Sequence, residues 1–248
     1  MLVAPQVVGL CGTDLELIDG LVDAAFVRYP ANLVHRLPAG TPVEDVALAE
    51  PASVVYHGLA RLLNRPGLQC LVVGDGTIAL LAVQLLRLWS PARVVLAGRR
   101  REQGDLARAA GMDEVISKVP SQTFDLVIEA AGTNEAVVSA LGAARRGAVV
   151  LLLGLPPHGS LASVPVDDLV NKDLLVRASF GYSSSTFSRV LALIAGRRLH
   201  PGILITHRFS FRDYDQALRI LRATEPGEAR GKVVLQVTAG APTGDSSR

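Results

Sequence analysis

Residues 69–79 read Gln-Cys-Leu-Val-Val-Gly-Asp-Gly-Thr-Ile-Ala: an apolar run that halts at glycine, a second glycine two places on, then a helical pattern. A buried strand that turns at glycine straight into a helix commits its surroundings to a layered strand–helix fold. The same junction binds a pyrophosphate with main chain alone. Gly74 permits the tight turn, Gly76 lets backbone approach phosphate oxygens, and the small Ala79 lets the helix pack close to the strand. The helix opening at Thr77 and Ile78, and running to about Trp89, turns unpaired N–H groups and a positive dipole end toward such a ligand.

The pattern continues as this junction requires. A helix is expected over 53–64, strands over 70–73, 93–97, 114–117, 125–129 and 148–153, and helices over 77–89, 102–110 and 134–144. Continuous apolar strands separated by helices imply a parallel sheet covered on both faces. With right-handed crossovers the strands take the order 3-2-1-4-5-6, the sixth being an edge strand at 173–179. Residues 1–52 show short β-like pieces broken by Gly and Pro, without helical periodicity. Residues 184–248 show helices near 185–195 and 212–223 and a last strand at 232–237. The reading is an α/β chain with a Rossmann domain over 53–182. Segments 1–52 and 183–238 pair into a second unit, and the tail 239–248 has the composition of a disordered end.

Composition excludes several classes of function. Of 248 residues 49% are apolar and 19% charged, so most of the chain is expected to pack. Net charge is +2, and the basic residues are scattered apart from Arg99, Arg100 and Arg101, which argues against nucleic acid. Two cysteines, Cys11 and Cys70, are too few for a disulfide framework or a structural zinc lobe. Cys70 lies within an apolar strand and is expected to pack as a small hydrophobe. No charged leader opens the sequence and no apolar run reaches the roughly 20 residues of a membrane span. The expectation is a soluble cytoplasmic protein with a small-molecule substrate.

The end of the second strand is diagnostic of the cofactor. An acid about 20 residues past the glycines grips a ribose 2′-hydroxyl. Here the strand ends Gly98-Arg99-Arg100, with no carboxylate. Glycine leaves room for a 2′-phosphate and a guanidinium binds that dianion bidentately, so NADP(H) is favoured over NAD(H). The alternative is that these arginines are solvated turn residues. Ala131-Gly132 and Gly154-Leu155, at two further strand ends, line the same crevice and let backbone approach ribose and nicotinamide. Glycine simply ending a strand accounts for either one equally well.

These runs in this order resemble the zinc-type alcohol and polyol dehydrogenases of the medium-chain dehydrogenase/reductase superfamily. The matching pieces are Val8–Asp14 (VGLCGTD), Ala49-Glu50-Pro51, Gly74–Ile78, Val127–Gly132 (VIEAAG) and Ile203–Phe209 (ILITHRF). The resemblance implies a reduced GroES-like β segment beside the Rossmann domain. It implies Cys11 and Glu50 as ligands of a catalytic zinc, Thr13 as a relay for the alcohol proton, and Lys232 near the cofactor phosphates. It implies a homodimer through the edge strand 173–179. The family carries further residues after Gly20, among them a zinc-binding histidine, and Gly20 here leads straight into Leu21. A catalytic zinc takes about three protein ligands and one open position, and the matched residues supply two. None of His35, His57, His158, His200 and His207 stands at a ligand-marking spacing. Three functions follow: an NADP(H)-dependent alcohol, polyol or carbonyl oxidoreductase, a zinc-independent reductase, or a cofactor-binding homologue without catalysis.

Overall fold

The computed structural model describes residues 2–3, 6–10, 27–28, 30–31, 34–62, 65–222 and 229–237. Its centre is a six-stranded parallel sheet formed by β4 (Gln69–Val73), β5 (Arg93–Ala97), β6 (Glu114–Ile116), β7 (Phe124–Glu129), β8 (Ala144–Leu152) and β9 (Leu175–Ala178). The spatial order is β6-β5-β4-β7-β8-β9, which is the expected 3-2-1-4-5-6. The order reverses beside β4, so a crevice opens at the carboxyl ends of β4, β5 and β7.

Alternation along each strand divides the core between the two faces of the sheet. Cys70, Val72, Val94, Leu96, Leu126 and Ile128 pack to one side with α2 (Ala49–Ala60), α3 (Thr77–Leu86) and α7 (Ser184–Ala195). Leu71, Val73, Val95 and Val127 pack to the other, against α5 (Asn134–Ala143). Helix α3 is buried nearly all round, with Leu80, Leu81 and Leu85 fully enclosed. Each such leucine contributes roughly 1.5–3 kcal/mol by leaving water, so the glycine turn that opens α3 is held from behind by a rigid body.

A second, smaller unit draws on both termini. β10 (Ile205–Ser210) runs parallel to β11 (Lys232–Gln236), which pairs antiparallel with β2 (Val7–Leu10). α8 (Tyr214–Arg222) covers this three-stranded sheet through Ala217, which packs with Leu10, Val233 and Leu235. A short antiparallel pair joins β1 (Leu2–Val3) to β3 (Val27–Arg28).

Several elements depart from the sequence reading. Helix begins well before residue 53, with α1 (Val43–Ala47) and then α2 from Ala49, so Glu50 lies in a first helical turn. Pro51 is tolerated in that turn, where its missing N–H has no partner to lose. β8 starts at Ala144 rather than 148, because Phe124 on β7 offers it a partner there. α4 (Gly104–Ala109) and α6 (Val166–Asn171) are both short, and α6 was not read from the sequence at all. The expected disordered tail, 239–248, lies outside the described residues.

Candidate functional site

The crevice holds a cavity of about 540 Å³ lined by the glycine turn, the end of β5 and the loop after β7. Its floor is set by the turn itself. Gly74 has φ +122°, a conformation open only to glycine, and a Cβ there would meet Ala130 and Ala131 backbone at 3.0 Å. Its N–H bonds the Ala97 carbonyl at 2.8 Å, and the Ala130 N–H bonds the Val73 carbonyl at 2.9 Å, so the three strand ends share one hydrogen-bonded rim. Gly76 is different. A Cβ there would touch nothing within 4 Å, yet the residue faces the cavity. No side chain caps the helix N-terminus that follows, which leaves its first N–H groups for a ligand.

Of the sequence-chosen residues, Gly74, Gly76, Gly98, Arg99, Arg100 and Ala131 line this cavity. Thr77 opens the helix, but its hydroxyl donates to the Gly231 carbonyl at 3.0 Å, and Ile78 packs into the core. Gly132, Gly154 and Leu155 are stacked backbone to backbone. A Cβ at Gly132 would lie 2.9 Å from the Leu155 carbonyl oxygen, and one at Gly154 would lie 2.3 Å from the Gly132 nitrogen. The Leu155 side chain is exposed.

Two acids organise the rim, Asp75 partly buried and Glu129 fully so, and the sequence pattern marks neither role. Asp75 leans from the glycine turn toward the end of β5. Its Oδ2 accepts the N–H groups of Arg99 and Arg100 at 2.8 and 2.9 Å, and its Oδ1 accepts Nε and Nη2 of Arg100 at 2.9 and 2.6 Å. Burial pushes the Asp75 carboxyl up, but the Arg100 guanidinium and the two backbone donors outweigh it and hold it below the usual carboxylate range. The available signal was an acid inside a turn built for phosphate, where a bare negative charge repels the ligand. Glu129, fully buried at the end of β7, accepts the Ala131 and Gly132 N–H groups on Oε1, both at 2.7 Å.

Gln103, almost fully buried, ties the rim to the segment that leads into β11. Its amide donates to the carbonyls of Asp75 at 2.8 Å and Arg230 at 2.7 Å and accepts the Arg230 N–H at 2.9 Å. Across the mouth, Thr133 caps α5 by accepting the Ala136 N–H at 3.2 Å. The neighbouring Glu135 carboxyl is held low by its own backbone N–H, the Thr133 hydroxyl and the nearby charge of Arg99.

The substrate end is described only in part. Cys11 and Thr13 lie outside the described residues. Glu50 is reached by the Tyr182 hydroxyl and by the charge of Lys232, while partial burial of its carboxyl pushes its pKa up. Lys232 is buried beside Gly9, where a Cβ would lie 2.8 Å from its Cε; its charge is felt at Glu50, and it does not line the cavity. Among the described residues no group of three or more His, Cys, Asp or Glu side chains is arranged to hold a metal ion. No described helix is long and apolar enough to cross a membrane.

Comparison with known proteins agrees with the fold. Residues 77–196 match the zinc-binding dehydrogenase family. D-arabinitol dehydrogenase 1 of Uromyces fabae is 27% identical over 210 residues, covering 79% of this chain and 60% of that protein. Sorbitol dehydrogenase of Arabidopsis thaliana is 29% identical over 201 residues, 75% of this chain and 54% of the relative. The chain thus spans little more than half the length of these curated relatives. A zinc-binding dehydrogenase of Sinorhizobium meliloti 1021, solved with NADP, superposes with a TM-score of 0.78 at 24% identity, covering 86% of this chain and 65% of that one. In strand order, in the glycine turn and in these matches the chain is similar to the zinc-type alcohol and polyol dehydrogenases of the medium-chain dehydrogenase/reductase superfamily.

Proposed function

We propose that this chain is a cytoplasmic NADP(H)-dependent oxidoreductase that transfers hydride between a nicotinamide and a small alcohol, polyol or carbonyl compound. The observation that carries this reading is Gly76. The chain keeps a glycine where its own packing needs none, facing a cavity at the carboxyl ends of parallel strands, and a pyrophosphate is the ligand that needs it. The polyol dehydrogenases among its relatives, and the NADP in the Sinorhizobium structure, point the same way.

When bound, the nicotinamide supplies the acceptor or donor of hydride. The chain's own contribution is positioning. The turn 74–76 and the start of α3 hold the pyrophosphate. At the ribose, beside Gly98, the exposed Arg99 meets a 2′-phosphate. Ala131, Gly132, Gly154 and Leu155 present backbone toward the nicotinamide side. Thr13 accepts and passes on the alcohol proton. Glu50 suits a metal poorly, since its carboxyl already takes a hydrogen bond from Tyr182 and faces an ammonium group, so no step is routed through a metal. A second copy covers the free edge of the sheet, where Leu175 and Val176 of β9 and the neighbouring Phe180 stand exposed.

Titration of the full chain with NADPH and NADH tests the cofactor assignment: tighter NADPH is expected, and equal affinity or tighter NADH overturns the preference. A panel of carbonyl compounds with NADPH, run alongside metal analysis, tests the chemistry. Turnover without metal is the expected result. About one zinc per chain with turnover restores Cys11 and Glu50 as ligands, and tight cofactor binding without turnover on a wide panel favours a non-catalytic role. Light scattering should give twice the chain mass, and Val176→Arg should halve it; a monomeric parent refutes the dimer.

A further inference from the structure

Four charged side chains line the cavity: Asp75, Arg99, Arg100 and Glu135, two of each sign. They are not equally available. A carboxylate offers about four lone-pair sites, and Asp75 has all four engaged by the two backbone N–H groups and by Nε and Nη2 of Arg100. Arg100 Nη2 also donates to the Asp75 backbone carbonyl at 2.9 Å, so the Nε–Nη2 edge of its guanidinium is taken. The Arg100 side chain is 27% exposed and that of Asp75 13%, so the pair is shielded from solvent competition. Arg99 is exposed, and its charge is felt at Glu135 across the mouth.

The place of this pair matters as much as its bonds. An ideal Cβ built on Gly98 would lie 3.0 Å from both the Cβ and the Oδ2 of Asp75. Asp75 thus fills, from the glycine turn, the space that a side chain at the end of β5 would take. That is where dinucleotide sites hold an acid against a ribose 2′-hydroxyl. With its lone pairs spent on Arg99 and Arg100, Asp75 cannot accept from that hydroxyl. It acts instead on the arginines.

We propose that Asp75 is a specificity-determining residue for the dinucleotide: an internal anion that occupies the Nε–Nη2 edge of Arg100 and two backbone donors, leaving bidentate recognition of a 2′-phosphate to Arg99. This rests on the NADP(H) reading above and deepens it. The parent chain then shows a restrained preference for the phosphorylated cofactor. The restraint is removed by neutralising residue 75, which frees one bidentate, charge-assisted contact for the phosphate.

The test is fluorescence titration of full-length parent and Asp75→Asn with NADPH and with NADH, reading the ratio of the two dissociation constants. The ratio should move toward NADPH by about 10- to 100-fold, the span of one charged bidentate contact. The double variant Asp75→Asn/Arg100→Gln should return it to within about threefold of the parent, because net charge and the available fork are then as before. An unchanged or reversed ratio in Asp75→Asn overturns the proposal, and so does a gain that survives in the double variant. If Asp75→Asn fails to fold by circular dichroism, Arg100→Gln alone decides. Leaving Asp75 uncompensated should weaken NADPH by about tenfold and NADH by less than threefold, and equal weakening of both overturns the assignment. A parent that binds neither dinucleotide refutes the oxidoreductase reading and this one with it. A parent that binds both, with no shift in the variants, refutes Asp75 alone.

Discussion

Asp75 and Glu129 close the carboxyl ends of the strands flanking β4 by the same local device, and they finish it differently. Each presents one carboxylate oxygen to two successive backbone N–H groups: Arg99 and Arg100 for Asp75, Ala131 and Gly132 for Glu129. Asp75 then pairs its second oxygen with a guanidinium at 2.6 Å. The second oxygen of Glu129 is buried without a hydrogen-bond partner among the described residues and points at Gly154, where a Cβ would lie 2.5 Å away. One acid therefore works as a charge, held against a guanidinium at the cavity rim. The other works as a shape, a two-donor clasp that folds the 130–132 turn against Gly154.

Truncation and amide substitution separate these roles. Glu129→Ala removes the acceptor of two part-buried N–H groups, at roughly 1–3 kcal/mol for each group left unsatisfied. A loss of about 3 kcal/mol in urea denaturation is expected, the largest effect among these variants. Glu129→Gln keeps an oxygen in the clasp and discards a charge that has no ion-pair partner among the described residues, so its cost should stay below about 1 kcal/mol. Asp75→Asn makes the same chemical change where the charge is used. It should cost about 1.5 kcal/mol through weakened charge-assisted bonds to Arg100. If the two amide substitutions cost the same, the distinction between charge and shape fails.

The layout of this site was far more legible in the sequence than its electrostatics. Strand order followed from runs such as Leu71–Val73 and Val94–Leu96, because strands buried on both faces must be apolar throughout. The glycine turn was legible because a φ of +122° at Gly74 admits essentially no other residue. Asp75, Gln103 and Glu129 left no such mark. Their partners come from neighbouring strand ends and from residue 230, far along the chain, and only the crossovers bring those together. Arg100 shows the cost of reading locally. Its position beside Gly98 suggested a phosphate ligand, and the carboxylate that claims it lies 25 residues earlier. α2 opens at Ala49, four residues before the expected start, and its first turn accepts Pro51.

Acid pH sharpens the comparison further. The native Asp75 carboxyl sits below its unfolded value, so its stabilisation is fully present above the ordinary carboxylate range and is lost as pH falls through the depressed native value. Asp113 and Asp125 share that direction. In both, burial pushes the carboxyl up, and backbone donors together with Arg87 or Arg145 pull it further down. The urea midpoint of the parent should be flat above about pH 5 and decline below about pH 4. Asp75→Asn should decline less steeply, keeping the part of the slope that Asp113 and Asp125 supply. Parallel slopes would mean that Asp75 is not ionised by its partners in the way its geometry requires.

The smallest effect concerns Cys70, a core residue of β4 at the end of the strand away from the glycine turn. Burial first, and then the Asp125 charge, push its thiol up to about 12, and the residue is 1% exposed. Reaction with a thiol reagent requires thiolate and access, and native Cys70 has neither at pH 8. In a Cys11→Ser background, which removes the other cysteine, labelling should be absent from the native protein and complete in concentrated urea. The same shift has a sign for stability. Above the ordinary thiol range the unfolded chain ionises while native Cys70 stays protonated, so a small part of the stability declines as pH rises from about 9 toward the native value. Native labelling at pH 8 would show that β4 opens without global unfolding. The strand under the glycine turn would then be no rigid floor, and the clasp at Glu129 and the lock at Asp75 would have to be read as the elements that hold it shut.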